Sequence, residues 1–498
     1  MRLPFLLVPF PLLLALAPAA AAAPVRTLSV APERALSVTL TLPAKKSKVR
    51  LENGPRKRTI KVDEDGDDLF VRGVDVGRNR LPRAGRLIVS NHDGITSVTL
   101  GPGVVAQTAS RTVRLQGVAR LTDRYASSVA DPIDRLAQRA GMLHLARPRT
   151  QAYLGQGLDG ALHYRELRNW TAAFLPGLLW QVAAERNSVL HARWAMEEVR
   201  DLRAVTAYDD PDIGFVFWRA AQLGSELACA TPVPGLGLSA KSCAELRSLA
   251  RRAADRLAAR SLSNVAGLIP TQVDESLCSQ CLPNEARIIV DQLHNLPVLA
   301  GSRDAARREL ARKQARWIAA NLLRPDGAAF QQGFISRIAG VLTRTGNYQG
   351  LDDGSVWSRG QAWAISGLAR AAADLDDPVL LAAAVRAADW WLANEPVDAP
   401  PLYDFHAPPD APRDSSALAI AGAGFAVLAD RCEATGACDG ARYRAAAGSA
   451  ELALLARLET GAQLGRLGEG AYTVGGLPWD ESAELPWGTD FLAELLTR

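Results

Sequence analysis

Polar and apolar positions change their rhythm once along this chain. Over roughly residues 26–124 they alternate with period two, so that 36–42, 69–76, 87–89 and 113–118 read as strands. Gly, Asn and Asp turns such as 64–67 and 91–94 separate them. Short strands so punctuated predict a small β-sandwich of roughly 100 residues. From about residue 131 the period becomes 3.6 and no further strands are expected. Helical runs over 134–142, 170–185, 188–203, 212–225, 241–261, 285–300, 303–323, 359–373, 378–394, 415–434, 441–458 and 489–497 bury an apolar stripe under Ala, Arg and Glu. About twelve helices in succession suggest six antiparallel hairpins, without the fixed sequence period of a solenoid. The expected fold class is α+β multidomain, a β-sandwich-like unit followed by an all-α (α/α)6 toroid. The Gly-rich connection 326–356 stands among the helices as a long functional loop.

The first residues follow a different grammar. Met1 and Arg2 precede an apolar run over 6–16, and a small-residue stretch closes at Ala23-Pro24. A charged start, an apolar core and a small-residue exit form a secretory signal peptide. Its prolines fit cleavage better than a membrane anchor, and no other segment reads as long and apolar enough to span a bilayer. The expected division is 1–24 signal peptide, 25–125 β-rich accessory domain and 126–498 catalytic barrel. The expected location is periplasmic or secreted, with no membrane attachment after cleavage.

Export places the six cysteines in an oxidising compartment. They fall in three local pairs, Cys229 with Cys243, Cys278 with Cys281 and Cys432 with Cys438, which read as short-loop disulfides. The rival for Cys278 and Cys281 is a redox motif or half a zinc site, but no second ligand pair stands nearby.

Charge removes other classes. Fifty-seven basic against 53 acidic residues leave +4, too small an excess for a general nucleic-acid binder. The lysines cluster at Lys45, Lys46, Lys48, Lys57 and Lys61 beside Arg50, Arg56 and Arg58. That cluster reads as a solvated edge hairpin before it reads as a site for an acidic polysaccharide. Six histidines and three methionines are few for metal or electron-transfer chemistry, whereas 11 tryptophans are many. Carboxylates and aromatics are left to carry the chemistry.

Asp291 interrupts the apolar run Ile288, Ile289, Val290 and Leu293. A carboxylate so placed either pairs with a cation or sits in a cavity with a raised pKa, which a general acid near neutral pH requires. Asp212 follows Asp210 and Pro211, which read as an N-cap and a first-turn proline, so alone it is more often structural. At the mouth of a toroid a second carboxylate there becomes of interest. His294, one turn after Asp291, reads as a core residue, and Asp414 before Ser415 as a helix cap.

Six segments in order then carry a resemblance. They are 169–180 with Trp170, 212–215, 288–298, 348–363, 403–417, and 472–476 leading to 486–490. Together they resemble glycoside hydrolase family 88, the unsaturated glucuronyl hydrolases, from about Trp170 onward; the β-rich unit lies outside the likeness. The resemblance implies an unsaturated uronyl oligosaccharide as substrate and no metal or cofactor. It implies that Asp291 protonates C4 of a C4=C5 unsaturated uronic acid and then takes a proton from the water adding at C5. Asp212 matches the second essential carboxylate. Trp170, Trp357 and Trp363 match sugar-stacking positions, and Gln349 and Arg359 match polar ones, with Arg359 expected to pair with the uronate carboxylate. Trp180, Trp390 and Trp391 read as core.

The chain also departs from the family. Pro211 stands where a His is common, Gln331 or Gln332 replaces another His, and an aromatic on the approach to Asp291 gives way to the Cys278 and Cys281 stretch. These departures bear on the leaving sugar. Two alternatives follow, an unsaturated rhamnogalacturonyl hydrolase and a non-catalytic polysaccharide-binding toroid; the retained Asp212 and Asp291 argue against the second.

Overall fold

The computed structural model describes the backbone of the strands between residues 26 and 114. It describes residues 131–157, 160–229, 236, 238–273, 276, 278–460, 463–472 and 484–498 with their side chains, apart from a few positions. The chain divides into two compact units, Met1–Thr112 and Val113–Arg498. The signal peptide and the side chains of the lysine cluster lie outside the described residues.

The first unit contains β1 (Arg26–Ser29), β2 (Arg34–Thr41), β3 (Val49–Asn53), β4 (Arg56–Val62), β5 (Leu69–Val71), β6 (Arg80–Leu81), β7 (Ala84–Ser90), β8 (Ser97–Leu100) and β9 (Val105–Arg114). They form a five-stranded sheet, β1-β8-β3-β4-β6, and a four-stranded sheet, β5-β7-β2-β9. β2 and β7 run antiparallel from Ala35 opposite Ser90 to Thr41 opposite Ala84. Three of the expected strands coincide with β2, β5 and β7, while the segment expected at 113–118 meets only the end of β9. How the two sheets face one another depends on side chains outside the described residues.

The second unit is two concentric layers of helices. The outer layer holds α1 (Pro132–Ala146), α3 (Val189–Asp201), α6 (Ala240–Ala259), α8 (Ala305–Asn321), α10 (Pro378–Asn394) and α12 (Gly440–Leu455), each half-buried. Short polar caps start all six: the Asp131 carboxylate accepts from the Ile133 and Asp134 amides, and Ser188, Ser239, Asp304, Asp377 and Asp439 cap the other five. Between successive outer helices lies an inner one: α2 (Phe174–Glu185), α4 with α5 (Ile213–Phe217, Leu223–Cys229), α7 (Pro297–Ala300), α9 (Ser358–Leu375), α11 (Ser415–Thr435) and α13 (Pro486–Leu496). Each inner segment packs on the next, and α13 returns to α2, so that six inner segments close a ring. The (α/α)6 expectation for this unit holds among the described residues.

Burial explains the composition of the inner ring. A helix covered on all sides reads as apolar throughout. α11 is long and apolar enough to cross a membrane by length and composition, contrary to the reading that none beyond the leader is, yet 89% of it lies buried in the toroid. Small residues let the ring close: a Cβ on Gly424 would stand 2.8 Å from the Ser366 Cα of α9. Charges lock the closure. Gln181 of α2 donates to the Asp490 carbonyl and carboxylate at 3.0 and 2.8 Å. Arg219 bridges Asp490 and Glu494 at 2.7 and 2.8 Å, and Arg370 reaches Glu494 at 2.5 Å.

Three expectations change. Strands do recur after residue 131, as the hairpin β10 (Gln151–Gln156) and β11 (Leu162–Glu166) and the sheet β12 (Glu285–Ile289), β13 (Gln332–Ser336) and β14 (Leu342–Gly346). The helix expected over 285–300 is instead strand β12, the 3-10 segment Val290–Asn295 and α7, because three consecutive β-branched residues favour an extended chain that β13 can pair. The connection 326–356 contains the β13–β14 hairpin rather than loop alone. The three cysteine pairs are disulfides as read, Cys229–Cys243, Cys278–Cys281 and Cys432–Cys438.

Candidate active site

Asp291 sits where β12 turns into the 3-10 segment Val290–Asn295. The Val290 amide donates to the Gln331 carbonyl at 2.8 Å, which pins the turn to the start of β13. One Asp291 carboxylate oxygen is buried without a hydrogen-bond partner. Burial raises its pKa to about 6, against the opposing charges of Arg359 and Arg287.

Asp212 arrives from the neighbouring inner segment. It occupies the N-cap position of α4, not the first turn, and its side chain makes no capping bond. The carboxylate of Asp210 instead accepts the Asp212 amide at 2.8 Å. Burial raises the Asp212 pKa to about 7, with the charges of Asp210 and Asp291 adding to the rise. Asn295, on the 3-10 segment that carries Asp291, holds the α4 side: its Nδ2 donates to Asp212 at 3.5 Å, and its Oδ1 accepts the Phe215 amide at 2.8 Å. The backbones touch here. A Cβ on Gly214 would lie 2.4 Å from the Asn295 carbonyl oxygen, so only glycine lets α4 seat directly on the segment carrying Asp291.

The remaining expected residues divide. Trp170 keeps part of its surface open while stacking on Trp487 at 4.7 Å and edge-on to Phe174 at 5.3 Å. Gln349 is half-buried, and its amide donates to the Gln331 Oε1, as does that of Tyr348. Trp363 is a correction: it is 1% exposed and packs on His294 at 4.5 Å, Phe215 and Phe491, leaving no face for a sugar. Trp357 is likewise buried, with the Arg359 guanidinium 4.5 Å from its ring centre. Arg359 differs as well. Its terminal nitrogens donate to the Asp414 carboxylate and to the carbonyls of Ala471 and Tyr472, so the fork expected for a uronate is engaged inside the protein. Asp414 is both the cap of α11 and the anchor of Arg359.

His294 is a core residue, fully buried among Trp363, Phe215 and Phe491, with its pKa held well below the ordinary value by burial. Gln331, one of the two glutamines read as replacing a histidine, clamps the 348–349 turn through its oxygen while its Nε2 is buried without a partner among the described residues. Sequence reasoning passed over Asn295 and Arg287, and read Asp210 only as an N-cap, the position Asp212 takes instead. Asn295 lay inside a quoted motif, and Asp210 beside one. Arg287 had no signal beyond its place on the approach to Asp291. The assembled chemistry is a pair of half-buried carboxylates with raised pKa values at one place in the ring, suited to giving and taking a proton. Among the described residues no three His, Cys, Asp or Glu side chains are grouped to hold a metal ion.

No family model matches the chain. It is 31% identical over 356 residues to an unsaturated glucuronyl hydrolase of Bacillus sp. strain GL1, a match covering 68% of this chain and 89% of that protein. A second relative is an unsaturated chondroitin disaccharide hydrolase of Streptococcus pyogenes serotype M1, 28% identical over 268 residues, 51% of this chain and 62% of that one. Among solved structures, the Bacillus sp. GL1 unsaturated glucuronyl hydrolase, described as responsible for glycosaminoglycan degradation, superposes with a TM-score of 0.64 at 25% identity, over 75% of this chain and 96% of its own.

Proposed function

We propose a specific reaction for this chain, which belongs to the unsaturated glucuronyl hydrolase family and is a glycoside hydrolase. The substrate is a lyase-generated oligosaccharide whose non-reducing end is a 4,5-unsaturated glucuronyl residue. The names of the relatives, which act on glycosaminoglycan and chondroitin disaccharide, support that class.

The observation that carries the reading is the Asp291 carboxyl, buried, short of a partner and raised to about 6. A C4=C5 double bond next to the ring oxygen is a vinyl ether, so C4 is the nucleophilic carbon. The Asp291 proton goes to C4, and positive charge develops at C5 and the ring oxygen. Water adds at C5 and returns its second proton to Asp291, which leaves the acid as it began. The resulting hemiketal opens to a ketone at C5, and the unmasked hemiacetal at C1 releases the leaving sugar. Asp212, held by Asn295, is a second acid at the site and stays protonated over the range in which Asp291 does. Trp170, with its open surface, is suited to one face of the sugar. We also infer export, supported by the leader grammar and by three disulfides, which persist in oxidising compartments.

The conjugated enoate absorbs ultraviolet light and hydration removes that absorbance. Wild type should bleach unsaturated uronyl disaccharides, and Asp291→Asn should slow bleaching by about 10²–10⁴-fold. Absorbance that wild type leaves unchanged across glycosaminoglycan disaccharides would defeat the reading.

A further inference from the structure

Four residues before Asp291, Arg287 has no carboxylate partner among the described residues. Its Nε donates to the Gln272 Oε1 at 2.6 Å, and its Nη1 to the side-chain oxygens of Gln280 and Gln332, both at 3.1 Å. Three neutral amides fix the plane of the guanidinium without cancelling its charge. Nη2 has no partner among the described residues. Glu285, two residues earlier and on the same strand face, is unavailable, because its carboxylate holds Arg344 at 2.9 Å and Thr343 at 2.6 Å. Arg287 is half-buried, and most of the more deeply buried arginines of this unit face carboxylates: Arg139 with Glu484, Arg147 with Glu198, Arg219 with Asp490 and Arg359 with Asp414.

The surroundings place that charge at the site. Arg287 acts electrostatically on both Asp291 and Asp212, and its guanidinium stands 5.4 Å from the ring centre of Tyr348, a residue 52% exposed. Gln332, one of its holders, adjoins Gln331, whose buried Nε2 is also unpartnered. Burial lowers the Arg287 pKa, the mark of a cation whose desolvation is not offset by a neighbouring acid.

We propose that Arg287 forms the anion subsite of this active site, its free Nη2 edge taking an anionic oxygen of the bound sugar. The ligand chemistry is a carboxylate or a sulfate ester, and an arginine whose orientation is already fixed matches either. Two sources supply it: the carboxylate of the unsaturated uronate itself, or a sulfate on the leaving sugar. The inference rests on the function proposed above, and binding separates the two.

The test is calorimetric titration of the Asp291→Asn protein, with and without Arg287→Gln, using two unsaturated disaccharides that differ only in a sulfate on the leaving sugar. Wild-type bleaching is measured alongside. Loss of at least tenfold in affinity for both sugars identifies the uronate as the partner. Loss confined to the sulfated sugar identifies the sulfate. Arg287→Lys should restore part of the affinity, and matching thermal melts exclude a folding defect. Affinity unchanged for both sugars, or no binding of either by the Asp291→Asn protein, overturns the proposal. Absent bleaching by wild type with Arg287-dependent binding intact would instead strike the reaction and leave the subsite standing.

Discussion

Replacing Asp212 by Asn should make the protein more stable at alkaline pH, and by an amount that the site itself sets. A carboxyl whose folded pKa is raised contributes stability while protonated, and that contribution is lost as pH rises through the folded value. Asp212 rises from an ordinary 3.8 to about 7. Between pH 5 and 8 wild type therefore loses about 3 kcal/mol that Asp212→Asn, having nothing to ionise, keeps. Partial exposure of Asp212 screens this to roughly half. For a unit of roughly 390 residues the difference corresponds to about 2 °C in Tm. The assay is thermal unfolding of both proteins at pH 5 and pH 8, where the gap in Tm should widen by that amount at the higher pH. Equal gaps at the two pH values would refute the claim that folding holds a proton on Asp212. The same substitution removes a like charge from Asp291, so stability gained and activity lost should come together.

Two further outcomes follow from the same geometry. Gly214→Ala forces a Cβ to within 2.4 Å of the Asn295 carbonyl; it should cost about 1–3 kcal/mol in urea unfolding and lower kcat at least tenfold by parting the acids. Activity that needs the Asp291 proton should decline as pH rises past about 6, read as kcat against pH on a bleaching substrate; a rate still climbing at pH 9 would exclude Asp291 as the acid.

The sequence was legible where one physical rule dominated. The helices were legible because a 3.6-residue apolar period marks them, and α10 falls at 378–394 as read. Asp291 stood out because a charge in an apolar run needs a reason, whereas Asp212, after Asp210 and Pro211, drew notice only through the resemblance. It failed where two rules competed. Ile288, Ile289 and Val290 fit a buried helix by period and a strand by β-branching, and pairing with β13 decided for the strand. Arg359 was misread because its partners lie far along the chain, Asp414 by 55 residues and Ala471 by 112. Trp363 could not be assigned from spacing, since a ring on an inner helix faces either the mouth or the neighbouring helix with the same periodicity. Arg287 is visible only once Gln272, Gln280 and Gln332 are folded around it, because what marks it is a set of neutral partners.

The closure of the inner ring also dictates an order of events in the life of the chain. Gln181 finds Asp490 across 309 residues, and Arg219 finds Glu494 across 275. During synthesis at ~5–20 residues per second, the first inner helix waits roughly 15–60 s for the segment that completes the circle. For that interval its apolar sides have no permanent cover, and Asp212 and Asp291 have been made without the scaffold that aligns them. Contacts so distant in sequence make closure a slow, late step. A nascent chain of this kind stays open to cellular factors that hold unfolded polypeptides, and catalytic competence begins only when residues 486–496 dock.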